Sequence, residues 1–112
     1  MALQKRQSNG ITILEPIGNH TYRSDDFNLK STVSKAIDEG VKKFVINLSG
    51  IRKMDSSGLG ELVLIHQMIY QEHGMVKLCS LTKEISSLIN LTKLNVKFES
   101  FNTESSAINS FR

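Results

Sequence analysis

From Val41 onward, short apolar runs alternate with longer stretches of helical periodicity, and that alternation limits the possible folds more than any other feature of the chain. Repeated strand, helix, strand order implies a mostly parallel sheet with helical crossovers. Phe44-Val45-Ile46-Asn47-Leu48 is almost continuously apolar, as a central strand covered on both faces must be. Residues 75–81 read as the next strand and 96–101 as a weaker one toward an edge. Ahead of them, Ile11-Thr12-Ile13-Leu14-Glu15-Pro16-Ile17 reads as a strand paired with residues 3–7 through a Ser8-Asn9-Gly10 turn, so the chain opens with a hairpin. The expected fold is α/β: one domain over residues 1–112, a mixed, mostly parallel sheet of four to five strands, and about four helices. A chain of 112 residues can bury one core but not two.

The first helix is expected over 24–39, burying Phe27, Leu29, Val33, Ala36 and Ile37 and ending at Gly40. Over 57–73, Leu59, Leu62, Val63, His66, Ile69 and Tyr70 recur at helical spacing and share one face. Leu64, Ile65 and Met68 widen that stripe, which means either a deeply seated helix or a surface kept for another protein. Gly74 is expected to take the left-handed conformation that closes this helix. Thr82 fits as the cap of a further helix with Ile85, Leu88 and Ile89 inward, and a short last helix is expected to begin near Thr103.

Charge and cysteine content exclude several functions. The net charge is +3, but the basic residues are dispersed, with short pairs at Lys5-Arg6, Lys42-Lys43 and Arg52-Lys53 and no cluster of aromatics beside them, which argues against nucleic acid. No apolar run approaches the roughly 20 residues that span a bilayer, and residues 1–7 lack the apolar stretch of a secretory signal. A cytoplasmic protein without membrane contact is expected. Cys79, the single cysteine, cannot support a disulfide framework and suits a buried strand position.

The chemistry gathers in Met54-Asp55-Ser56-Ser57-Gly58-Leu59-Gly60, which follows the strand ending at Leu48 and opens the long helix. Sites in open α/β sheets collect at the carboxyl ends of strands, where unpaired amides and the helix dipole favour negative charge. Asp55, Ser56 and Ser57 are all good helix caps. Capping alone leaves Gly58 and Gly60 unexplained, since each glycine in a helix costs about 1 kcal/mol relative to alanine. A surface stripped of side chains lets another protein approach the two hydroxyls, as a kinase substrate requires. A phosphoryl group here would add about 1.5 to 2 negative charges at the favourable end of a helix.

Asp55-Ser56-Ser57-Gly58-Leu59-Gly60, preceded by Phe44-Val45-Ile46-Asn47-Leu48-Ser49-Gly50, resembles the signature of STAS-domain anti-sigma-factor antagonists. The likeness extends downstream through Ile85, Leu88, Leu91, Thr92 and Leu94. It implies a non-enzymatic switch in which Ser56 is phosphorylated by a cognate anti-sigma factor that is also a serine kinase. The unphosphorylated form would bind that anti-sigma factor and release the sigma factor, and a PP2C-type phosphatase would restore it. By the same resemblance the docking surface comprises Asp55, Ser57, Gly58, Leu59, Gly60 and Glu61, with Asp55 orienting the serine hydroxyl.

Two positions depart from the family pattern. Gly18-Asn19-His20-Thr21-Tyr22 replaces a Gly-x-Leu-Asp-like turn, and the spacing of Asp25 and Asp26 does not restore its aspartate. Glu61 places a charge where many relatives are apolar. Arg52 and Lys53 either pair with a phosphate or an acidic partner, or form a solvated pair.

Other chemistries find no support. A Gly-x-Ser-x-Gly elbow is missing, since Ser56 lies between Met54 and Gly58 and Ser57 between Asp55 and Leu59. His66 and His73 share a helix face with no carboxylate or cysteine at ligand spacing, so neither metal nor other cofactor is expected. No phosphate-binding Gly-x-x-x-x-Gly-Lys-Ser/Thr loop occurs, so any kinase must be another chain. Two alternatives stay open: a constitutive STAS scaffold or transporter-associated subunit, and a module binding a small anion or nucleotide at the same helix start.

Overall fold

The computed structural model describes residues 2–18, 20–91 and 98–111. Strands β1 (Ala2–Ser8) and β2 (Ile11–Ile17) form the expected hairpin. Ser8 pairs with Ile11, which leaves Asn9-Gly10 as a two-residue turn with φ of 53° and 81°. Both values are left-handed, as the turn matching the strand twist requires, and asparagine and glycine tolerate them best. There follow β3 (His20–Tyr22), α1 (Leu29–Asp38), β4 (Lys43–Asn47), β5 (Ile51–Met54), α2 (Ser56–Gln71), β6 (Met75–Cys79), α3 (Lys83–Leu91), β7 (Glu99–Phe101) and α4 (Glu104–Asn109).

The main sheet has the order β1-β2-β4-β6-β7, antiparallel only at the hairpin and parallel across β2, β4, β6 and β7. The mixed, mostly parallel architecture is therefore the one expected. β3 and β5 pair in parallel as a separate two-stranded sheet, and neither was among the strands expected from the sequence. Segments of three and four residues are too short to display a hydrophobic period, so only the long-range pairing reveals them.

Side chains alternate across the main sheet. On one side Leu14, Phe44, Ile46, Val76 and Leu78 join Leu29 and Val33 of α1, Leu62 and Ile65 of α2, and Ile85 of α3 in the principal core. On the other, Ile11, Ile13, Val45 and Cys79 form a smaller cluster with Ala107 of α4.

Three helix boundaries follow from particular residues. α1 begins at Leu29 rather than Ser24, because Asp25 and Asn28 have φ of 68° and 53° and cannot lie inside a right-handed helix. Phe27 is nevertheless buried in the core. Gly40 closes α1 as expected, with φ of 94°, Gly40 N–H donating to Ile37 C=O (2.9 Å) and Val41 N–H to Ala36 C=O (3.0 Å). At the end of α2 the left-handed residue is His73, with φ of 62°, and not Gly74. Gly74 instead makes room: a Cβ there would lie 2.7 Å from the Lys42 carbonyl oxygen.

The stripe of α2 is seated mainly by Leu59, Leu62, Ile65, His66 and Ile69, while Val63 is half-buried. Tyr70 is exposed and stacks on His66, and Leu64 also remains in solvent. Thr82 caps α3 by accepting from the Ile85 amide (3.2 Å), and Thr103 caps α4 by accepting from the Ser106 amide (3.1 Å). Thr92, Leu94 and the first part of the expected 96–101 strand lie outside the described residues. Among the described residues no helix is long and apolar enough to cross a membrane.

Candidate functional site

The site forms where β5 ends at Met54 and α2 begins at Ser56. Asp55 is the cap: its backbone is extended, and its Oδ1 accepts from the Gly58 amide (2.9 Å) and the Ser57 hydroxyl (2.7 Å). The Gly58 amide, followed by the Ser57 hydroxyl, holds the Asp55 carboxyl below its ordinary pKa, because both donors favour the charged form. Ser57 is fully engaged, since its Oγ also accepts from the Ser24 amide (3.0 Å). Ser56 is exposed, and its hydroxyl has no hydrogen-bond partner among the described residues. Asp55 thus orients Ser57, not Ser56 as the resemblance implied.

The two glycines have different reasons. A Cβ on Gly58 would lie 2.3 Å from the Tyr22 carbonyl oxygen and 2.9 Å from its carbon, so Gly58 lets α2 close against β3. That oxygen accepts from the Asp55 amide (3.2 Å). Gly60 is exposed with nothing within 4 Å of a Cβ, so it leaves bare surface beside the serines. Of the six residues expected to form a docking surface, Ser57 and Gly60 are exposed and Asp55 half-buried. Gly58, Leu59 and Glu61 are buried instead, because the first turns of α2 pack against β3 and the segment after it.

Glu61 is the larger surprise. It is 5% exposed, and its Oε2 accepts from the Asp25 amide (3.1 Å). Its Oε1 and the Tyr22 hydroxyl are buried without a partner in regular hydrogen-bond geometry. Burial, and after it the nearby Glu61 carboxylate, push the Tyr22 hydroxyl far above the ordinary tyrosine pKa. Tyr22, at the end of the first departure from the family pattern, and Asp25 just beyond it therefore meet Glu61, the second departure, in space. Asp26 serves a local turn, its Oδ2 accepting from the Arg23 amide (3.2 Å).

The nearest cation to Asp55 is Arg23, whose Nε stands 3.8 Å from Oδ2 with the side chain 64% exposed. Arg52 and Lys53 are exposed on β5 and make no ion pair among the described residues. Sequence reasoning missed Arg23 and Ser24, because their approach to α2 depends on the β3–β5 pairing. His66 meets Tyr70 (4.2 Å, stacked) and Phe98 (5.1 Å, edge-on), and no metal-binding cluster occurs among the described residues. Cys79 is buried, and burial pushes its thiol pKa up to about 11.

A parallel α/β domain with this helix start belongs to a known class. The STAS domain family matches residues 2–107, and the chain belongs to that family. It is similar to an anti-sigma-factor antagonist STAS domain protein from Planctomyces limnophilus: 16% identity over 98% of this chain and 97% of that one, TM-score 0.79. An anti-sigma factor antagonist from Mycobacterium paratuberculosis matches at 18% identity over 96% and 91%, TM-score 0.76. The Bacillus antagonist SpoIIAA matches unphosphorylated at 17% identity over 98% and 97%, TM-score 0.75, and phosphorylated at 18% over 98% and 99%, TM-score 0.73. At such identities the likeness establishes the fold. Anti-sigma factor antagonists are non-enzymatic regulators.

Proposed function

We propose that this protein is a phosphorylation-controlled anti-sigma-factor antagonist acting in the cytoplasm. In its unphosphorylated form it binds an anti-sigma factor that is also a serine kinase, and so frees a sigma factor; phosphate on Ser56 weakens that complex, and a PP2C-type phosphatase restores it. The observation that carries this reading is the contrast at the start of α2. Ser57 is tied to Asp55 and to the Ser24 amide, whereas Ser56 beside it is exposed and free to react. Bare Gly60 lies next to it and gives a partner close access.

A dianion at Ser56 sits by the positive end of α2, so the domain tolerates it. A partner fitted to an uncharged hydroxyl does not. A coupling of about 1 to 3 kcal/mol between phosphate and partner would change affinity from several-fold to over a hundredfold. The test combines kinase-type anti-sigma factors with the chain and ATP, followed by phosphosite mapping by mass spectrometry. Phosphate on Ser56 is expected, and Ser56→Asp should lose the partner that Ser56→Ala retains. Modification elsewhere, or equal binding by the two variants, rejects the switch, and equal binding points to a constitutive scaffold.

A further inference from the structure

The switch described above makes no direct use of Glu61, the one buried carboxylate among the described residues. Burying a carboxyl group with one oxygen outside regular hydrogen-bond geometry is costly, and an apolar side chain of similar volume would pack here at lower cost. What the carboxylate touches suggests why it stands there. Residues 23–28, between β3 and α1, run as a strap past the first two turns of α2. Successive strap residues are fastened to that helix: Arg23 Nε toward Asp55 Oδ2 (3.8 Å), Ser24 N–H to Ser57 Oγ (3.0 Å) and Asp25 N–H to Glu61 Oε2 (3.1 Å). The first two contacts are exposed, and water and salt compete for them. Only the third ends on a buried acceptor.

We propose that Glu61 is a positioning residue that anchors the strap, and through it presets the Arg23 and Ser24 wall beside Ser56 that a docking partner meets. Anchoring reduces the ordering that docking must otherwise impose on a mobile edge. The proposal rests on the reading of Ser56 as the switch residue, but the anchor itself is measurable without a partner.

The experiment is amide hydrogen exchange, read by NMR on the full chain, for wild type, Glu61→Leu and Glu61→Gln. In Glu61→Leu the amides of Ser24, Asp25 and Asp26 should all exchange about tenfold faster or more, while those of β4 and β6 keep their protection. Glu61→Gln should restore the slow rates, since its amide oxygen can accept from Asp25 while its amino group donates to the Tyr22 hydroxyl. Faster exchange at Asp25 alone would reduce Glu61 to a local contact and overturn the anchor, as would unchanged rates. Because Glu61→Leu alters a buried site, Tyr22→Phe provides a second variant: it removes the hydroxyl and leaves the Glu61 to Asp25 bond, so the strap should stay protected. A strap released in Tyr22→Phe would assign the anchor to the tyrosine and reject the proposal. A strap that stays closed in Glu61→Leu leaves the Ser56 assignment standing, whereas a released strap with no phosphate on Ser56 separates the two claims the other way.

Discussion

The two faces of the main sheet are held in different ways. The face under α1, α2 and α3 presents Leu14, Phe44, Ile46, Val76 and Leu78, all at most 2% exposed, and its helices are held by burial. The opposite face carries Ile11, Ile13, Val45 and Cys79 beneath the six residues of α4, and around them lie Arg6, Glu15, Asn47 and Lys77. So short a helix buries little, and polar contacts hold it at both ends. Glu104 in its first turn accepts from Arg6 Nη1 (3.0 Å), Arg6 Nη2 (2.7 Å) and Asn47 Nδ2 (3.1 Å). Lys77 Nζ donates to the Ser110 Oγ (2.8 Å) and carbonyl (3.1 Å), 4.5 Å from the Phe111 ring centroid. Acid at the start and base at the end also follow the helix dipole. Short-range directional bonds can replace area, but each then matters singly.

The comparison breaks most readily in the larger core. Phe44→Ala removes a fully buried ring and should destabilise the domain by about 3 to 5 kcal/mol, read from the urea midpoint. A loss under about 1 kcal/mol would mean that this face is not held by packing. Gly58→Ala tests the seam where α2 meets β3: the added methyl meets the Tyr22 carbonyl, and a loss of about 1 to 3 kcal/mol is expected.

On the other face, Glu104→Ala removes the acceptor shared by Arg6 and Asn47 and should cost about 1 to 2 kcal/mol, less than full burial would imply because Arg6 and Glu104 remain partly solvated. The sharper readout is chemical. Cys79 is the single thiol in the sequence and lies beneath α4, so its reaction with a disulfide reagent reports that helix lifting. Glu104→Ala should accelerate the reaction by about the same free energy, roughly tenfold, whereas Gly58→Ala at equal loss of stability should do so less. Equal acceleration in the two variants would show that α4 opens only with the whole domain. Gly60→Ala, on bare surface, should instead stabilise by up to about 1 kcal/mol.

This division also marks how far the sequence could be read. Asn9-Gly10, Thr82, Thr103 and Gly40 declare their turns and caps locally, and the apolar run Phe44-Leu48 declares a central strand, so most of the architecture was legible. At the site, Asp55 and its two serines were legible as a cap. What was not legible depends on contacts between distant segments: the β3–β5 pair, Arg23 beside Asp55, and the carbonyl that requires Gly58. Glu61 misleads for the same reason. A glutamate at a helical position reads as surface unless the strap amide above it is known. His73 shows a further limit, since a glycine adjacent to it offered a better left-handed residue and was needed for clearance instead.

The smallest effect should come from the one charge at the exposed start of α2. The folded-state pKa of Asp55 is depressed, so its contribution to stability is present above the unfolded value, roughly 3.9, and is lost as pH falls through the folded one. Asp55→Asn should therefore flatten part of the acid-side decline in the urea midpoint while changing little near neutrality, where asparagine still caps the helix. An Asp55→Asn profile as steep as wild type would show that the cap charge does not set the acid-side decline, and would place that sensitivity elsewhere in the fold.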